Sequence, residues 1–196
     1  MSGRDSKFLV WSLLALPAGV AFVRYALTPD AWLGDLLHPT GGWSARFIIL
    51  ALMVTPLRQL LPGNRAVLFL ARHRRALGVA GFLYALLHLL FYLLDMETLG
   101  AVLAEIGASA IWTGWLALAL LVPLGVTSND AAVRALRGGW KRLQRLAYPV
   151  AVLTLIHWAL VHDGLVPALV HFAPLALLQL WRLARMFQSR PARSLA

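Results

Sequence analysis

The sequence predicts an all-α membrane protein, a six-transmembrane-helix bundle with both termini cytoplasmic. Three observations carry that expectation. Sixty per cent of the 196 residues are hydrophobic and only 13% are charged, against roughly 25% charged in an ordinary soluble domain. A single core of this size cannot bury so many apolar side chains, so they need a bilayer. Six apolar runs approach the length of about 20 residues that a helix needs to cross one, and the basic residues fall on every second connection between them.

Taken in order, the spans are Phe8–Leu27, Trp43–Leu61, Ala76–Leu94, Ala108–Val126, Leu146–Val161 and Leu165–Leu183. The first run ends without a small-residue cleavage site and is read as a retained span. Pro149 interrupts the fifth. The sixth starts near Pro167, a good first-turn residue, and carries Pro174, which bundles tolerate within spans. There is no internal repeat and no low-complexity segment, and Ser189–Ala196 reads as a tail. The whole chain, 1–196, reads as one transmembrane domain.

Orientation follows from Lys and Arg. Sixteen of the 18 basic residues lie at the N-terminus, in the loops after spans two and four, or at the C-terminus. The opposite loops carry none, and instead hold Asp30, Asp35, Asp95, Glu97, Glu105 and Asp163. The basic side is expected to be cytoplasmic. The net charge of +10 is thereby assigned to topology and lipid, and no nucleic-acid partner is expected. The absence of Cys excludes disulfides, iron–sulfur clusters and thiolate chemistry.

An ionisable side chain within a span is costly and is read first as functional. His88, in Tyr84-Ala-Leu-Leu-His88, and His157, in Leu153-Thr-Leu-Ile-His157-Trp158, lie well inside spans three and five. Both spans run outward. His88 is 13 residues beyond Arg75 and His157 is 12 beyond Arg145, so each sits roughly 18–20 Å from the basic edge. Two imidazoles at matching depth on parallel helices can face each other across a flat cofactor, and paired axial His make a b-type haem site. Gly81, two turns before His88 on the same face, would let a porphyrin lie close to the helix. The competing reading is that each His only hydrogen-bonds between helices. Zinc would need further ligands at that depth, and none is visible. A proton-coupled transporter would need intramembrane acids, whereas all eight acids lie in loops or termini. His38 and His162 in outer segments, His171 early in span six and His73 in the basic loop read as solvated or interfacial.

Several fragments in this order resemble one family. They are His38-Pro-Thr-Gly41; Arg46-Phe-Ile-Ile-Leu-Ala-Leu-Met-Val-Thr55-Pro56-Leu57-Arg58; Arg74-Arg75-Ala-Leu-Gly78 leading to His88 and Tyr92; Thr127-Ser-Asn-Asp130; and Trp140-Lys-Arg-Leu143 running through Tyr148 to Ile156-His157-Trp158. Together they resemble the MsrQ (YedZ) family of the ferric-reductase-like transmembrane superfamily over nearly the whole chain. The resemblance implies a bacterial inner-membrane protein that binds haem b and FMN. It implies a heterodimer in which electrons from the quinone pool or a cytoplasmic flavin reductase reach MsrP, a periplasmic molybdenum-cofactor enzyme that repairs methionine sulfoxide. The family's haem ligands fall on His88 and His157. In one departure, Gln144 stands where the family commonly has a further His, and Gln has no imidazole nitrogen for an inner haem. The basic loops, with Arg72, Arg74, Arg75, Lys141 and Arg142, could take a flavin phosphate, although topology alone accounts for such charges. The alternatives are a stand-alone transmembrane ferric reductase and a non-redox helical bundle. The 196 residues leave no room for a soluble nicotinamide- or flavin-binding domain, which favours a subunit that needs a donor and an acceptor.

Overall fold

The computed structural model describes residues 3–161 and 164–188. They form α1 (Gly3–Leu27), α2 (Gly34–Leu60), α3 (Arg65–Asp95), α4 (Leu99–Glu105), α5 (Ser109–Val126), α6 (Asp130–Leu136), α7 (Gly138–Leu143), a 3₁₀ turn at Gln144–Leu146, α8 (Ala147–Leu160) and α9 (Leu165–Gln188). Six stretches are long and apolar enough to cross a membrane: α1, α2, α3, α5, the run Gly138–Leu160 and α9. His162, Asp163 and the expected tail Ser189–Ala196 lie outside the described residues.

Two spans are longer than their apolar runs. α2 begins at Gly34, not Trp43, so His38 belongs to a helix and not to an outer loop. Pro39 is tolerated there because it removes one backbone hydrogen bond near the helix start. α3 begins at Arg65, not Ala76. The Asn64 side chain caps it, accepting from the backbone N–H groups of Ala66 and Val67, and satisfies donors that the first turn would otherwise leave bare. Hydropathy marks where lipid begins, and a helix does not stop there.

α2 is the hub, packing against α1, α3, α8 and α9. Its two sides feed separate cores. Ala45, Ile48, Ile49 and Leu52 pack with Leu121, Leu124, Val150 and Phe172, while Phe47 and Val54 pack with Val10, Leu14, Leu77 and Tyr84. The α2–α3 seam is held by Ser44, whose hydroxyl donates to the Gly81 carbonyl at 2.8 Å. A Cβ at Gly81 would lie 3.0 Å from Ile48 and 3.4 Å from the Ser44 carbonyl. Gly81 therefore lets α2 and α3 approach closely at Ser44 and Ile48, two residues that also line the cleft.

Side chains of other helices bond to helix rungs at or next to prolines. Pro17 interrupts α1, and Tyr84 of α3 inserts into the adjacent rung, donating to the Leu14 carbonyl at 2.9 Å and accepting from Ala18 N–H at 2.8 Å. Pro56 removes the donor for the Leu52 carbonyl, and Gln179 of α9 donates to it at 3.2 Å. In lipid no water replaces a lost partner. Tyr84→Phe is expected to cost about 1–3 kcal/mol, read as a lower unfolding temperature in detergent. An unchanged temperature would show that the α1 rung re-forms by itself.

At the basic end, Arg75 of α3 forms an ion pair with Asp130 of α6. That pair holds the Asp130 carboxyl below its ordinary range, with Arg134 and Lys7 adding to the effect. Lys7 of α1, Arg75 of α3 and the start of α6 therefore share one end of the bundle.

Candidate functional site

Two hairpins, α2–α3 and α5–α8, each bring one span histidine to a common cleft. His88 lies on α3, and its Nδ1 donates to the Leu37 carbonyl of α2 at 2.9 Å. His157 lies on α8, and its Nδ1 donates to the Ala110 carbonyl of α5 at 2.7 Å. A carbonyl oxygen only accepts, so each Nδ1 carries a proton. In the neutral ring the lone pair then sits on Nε2. This is the tautomer a metal-ligating histidine needs, with its second nitrogen fixed by a backbone acceptor.

Glycine makes the close approach of each ring feasible. A Cβ at Gly41 would stand 2.8 Å from the His88 Nδ1 and Cε1 atoms, and one at Gly114 would stand 2.7 Å from the His157 Cε1 atom. Each glycine lies four residues after the carbonyl that accepts its histidine. Both hairpins thus use one device, a ring laid over a glycine and hydrogen-bonded one turn earlier. Neither segment shows this device by itself. The dipeptide Thr-Gly recurs as Thr40-Gly41-Gly42-Trp43 and Thr113-Gly114-Trp115 near the starts of two spans, but two residues are too short a repeat to register alone.

The two imidazole centroids are 6.1 Å apart with ring planes at 79°. Two metal–nitrogen bonds of about 2 Å, plus about 1 Å from each nitrogen to its ring centre, put paired imidazoles about 6 Å apart. The observed spacing matches. The cleft has a volume of about 160 Å³ and is walled by Ala45, Ile48, Leu89, Leu118, Leu121 and Val150. No Asp, Glu, Lys or Arg among the described residues lines it. Among the described residues no three His, Cys, Asp or Glu side chains gather as a metal site. Two imidazoles with no third protein ligand among the described residues suit a metal that brings its other ligands with it, as one in a macrocycle does. His38, Tyr92, Trp115 and Trp158 also line the cleft, and the Tyr92 hydroxyl is buried without a hydrogen-bond partner. A largely apolar slot lined by two paired imidazoles, with His38 and Tyr92 also in its lining, fits a planar macrocycle with a polar edge.

The other sequence candidates fall elsewhere. Gly81 faces Ser44 and Ile48 in the α2–α3 seam. His73 packs on Phe69 at 4.6 Å, far down α3. His171 accepts from Arg46 at 3.2 Å and stacks on Trp158 at 4.8 Å, behind the cleft wall. His38, expected to be solvated, lines the cleft. Gln144 donates to the Leu124 carbonyl at 3.4 Å at the end of α5. Beside it Phe82 is pressed against Gly125, where a Cβ would meet the ring at 2.2 Å.

Fold and site together define a helical membrane protein whose two hairpins each bring one imidazole to a shared cleft. Residues 40–155 match the family described as ferric reductase like transmembrane component, a stretch running from α2 through most of α8. The protein-methionine-sulfoxide reductase heme-binding subunit MsrQ of Xanthomonas campestris pv. campestris is 38% identical over 160 residues, covering 80% of this chain and 72% of that one. The protein of the same name from Brucella ovis is 39% identical over 154 residues, covering 76% and 68%. No solved structure matches. The chain belongs to the ferric-reductase-like transmembrane family and, within it, to the MsrQ group.

Proposed function

We propose that the cleft holds one haem b, ligated by His88 and His157, and that the chain is the membrane electron-transfer subunit of a methionine sulfoxide reductase. The observation that carries this reading is the 6.1 Å pairing of two imidazoles whose Nδ1 atoms are both tied to carbonyls. The relatives' printed name, heme-binding subunit, supports it. Bound haem supplies a one-electron carrier. The protein supplies fixed ring orientation through Leu37 and Ala110, a largely apolar wall that excludes water, and the polar groups of His38 and Tyr92. The oxidised and dithionite-reduced visible spectra of the purified protein test this directly. Sharp reduced bands of a low-spin b-type haem are expected, and their absence would overturn the proposal.

The positive-inside rule places the Arg75–Asp130 end in the cytoplasm of a bacterial inner membrane and the cleft toward the periplasm. Electrons then leave the cleft toward a periplasmic MsrP-type molybdenum-cofactor subunit, in a heterodimer, for repair of oxidised proteins. They enter from the quinone pool or a cytoplasmic flavin reductase. FMN is assigned to the inner loops. There Arg74 donates to the Ala51 carbonyl and Arg75 pairs with Asp130, whereas Arg72, Lys141 and Arg142 are exposed and suit a phosphate.

A single haem is expected. Gln144 offers no iron ligand, and the level beside it is filled by Phe82 on Gly125 together with Leu120, Leu124, Leu143 and Leu146. Pyridine haemochrome measured against protein content should give a ratio near one, and Gln144→His should leave that ratio unchanged. A ratio near two in the natural protein would mean that an inner site exists.

A further inference from the structure

We propose that Thr40 and Thr113 are positioning residues that set the donor strength of the two imidazoles, each acting through the carbonyl it shares with a histidine. The proposal rests on the haem reading above. The Thr40 hydroxyl lies 2.9 Å from the Leu37 carbonyl and 2.8 Å from the Leu36 carbonyl. The Leu37 carbonyl is the acceptor of His88 Nδ1. In the other hairpin the Thr113 hydroxyl lies 2.8 Å from the Ala110 carbonyl and 2.9 Å from the Ser109 carbonyl. The Ala110 carbonyl is the acceptor of His157 Nδ1. Both threonines immediately precede the glycine on which the ring lies.

Threonine commonly bonds a carbonyl one turn back in a helix, and this chain does so elsewhere. Thr127 bonds the Pro123 carbonyl and Thr154 the Val150 carbonyl. Neither of those carbonyls receives a ring nitrogen. Only at Leu37 and Ala110 do a hydroxyl and an imidazole N–H among the described residues meet on one oxygen, and these are the two oxygens that fix the paired rings. A carbonyl has two lone pairs, and the helical ladder already uses it through the N–H four residues on. A hydroxyl on the same oxygen draws density away and weakens the Nδ1–H bond. A weaker bond there leaves Nε2 a poorer donor, because the outer-shell acceptor sets ligand basicity. A poorer donor favours ferrous over ferric iron, one of the levers by which a protein sets a haem potential. The two threonines thus hold the potential higher than histidine–carbonyl bonding alone would set it.

The test uses purified holoprotein of the full chain, comparing Thr40→Val, Thr113→Val and the double variant with Thr127→Val as a back-bonding control. Valine keeps the branched shape and removes the hydroxyl. The readouts are the haem midpoint potential by spectroscopic titration and the low-spin g-values at low temperature. Each single variant is expected to have a lower midpoint than the natural protein, the double variant a drop near the sum of the two, and Thr127→Val no change. Thr40→Ser and Thr113→Ser, which keep the hydroxyl, should restore the natural midpoint. If a valine variant fails to fold, alanine at the same position gives the same readout with less steric demand. Variants that retain a low-spin spectrum at an unchanged or raised midpoint overturn the inference while leaving the haem reading intact. A natural protein without haem overturns both.

Discussion

Replacing either His88 or His157 by alanine is expected to abolish the low-spin b-type spectrum, while His73→Ala and His171→Ala leave it in place. A six-coordinate low-spin iron needs both axial nitrogens, and the two imidazoles that face each other across the cleft come from different hairpins. Neither can substitute for the other. His73 lies on Phe69 and His171 lies behind Trp158, so neither reaches the slot. The fold should survive the loss of a ring. The Leu37 and Ala110 carbonyls keep their helical partners, and the space left behind is lined by glycine and small apolar groups. That space also provides a rescue. Free imidazole added to His88→Ala or His157→Ala should enter it and restore a low-spin spectrum in part. Retention of a normal spectrum in His157→Ala without imidazole would show that the pairing is wrong.

Gly41→Ala and Gly114→Ala are expected to produce the second-largest effect, a loss of low-spin character and at least about tenfold weaker haem binding, the range typical of a disturbed outer shell. The added methyl would lie under 3 Å from an imidazole ring in each case. The ring is tied at Nδ1 by the carbonyl, and the only space into which it can yield is the cleft that the haem would occupy. Moving it breaks the Nδ1 bond that fixes the tautomer. Gly78→Ala serves as the contrast, since a Cβ there meets nothing within 4 Å. Alanine in a helix interior is favoured over glycine by about 1 kcal/mol, so this variant should be as stable as the natural protein or slightly more so. Haemin titration of the apoproteins, followed in the Soret band, separates the cases. Equal affinity for Gly114→Ala and Gly78→Ala would remove the glycine from the account of the site.

The helical class and six spans were legible in the sequence because a bilayer acts on each segment alone. Apolar length decides whether a run crosses, and the loop charges predict which way it runs. The matching depth of His88 and His157 was legible for the same reason, since helical rise converts residue counts into distance. Helix ends were less so. The start of α3 at Asn64 depends on a capping side chain, and the start of α2 runs through Pro39, which punctuates sequence without breaking the helix there.

Rotation about a helix axis was the main thing hidden. Gly81 and His88 share a helix and a nominal face, yet Gly81 faces α2 while His88 reaches the cleft. Both meet α2, at different levels, and hydropathy cannot resolve which neighbour each one meets when nearly every side chain is apolar. His38 was misplaced for a related reason. Read as loop, it had no direction, whereas on α2 it lines the cleft.

By itself, then, the sequence determined the helical class, the six spans and the two histidines at one depth. Each of these follows from one segment and its solvent. Only the tertiary structure decided which glycines seat the rings, which carbonyls fix their tautomers, and that Phe82 on Gly125 fills the level beside Gln144. Those are contacts between helices far apart in the chain. They depend on how each helix is turned and how closely its neighbour approaches, quantities set by packing the bundle as a whole.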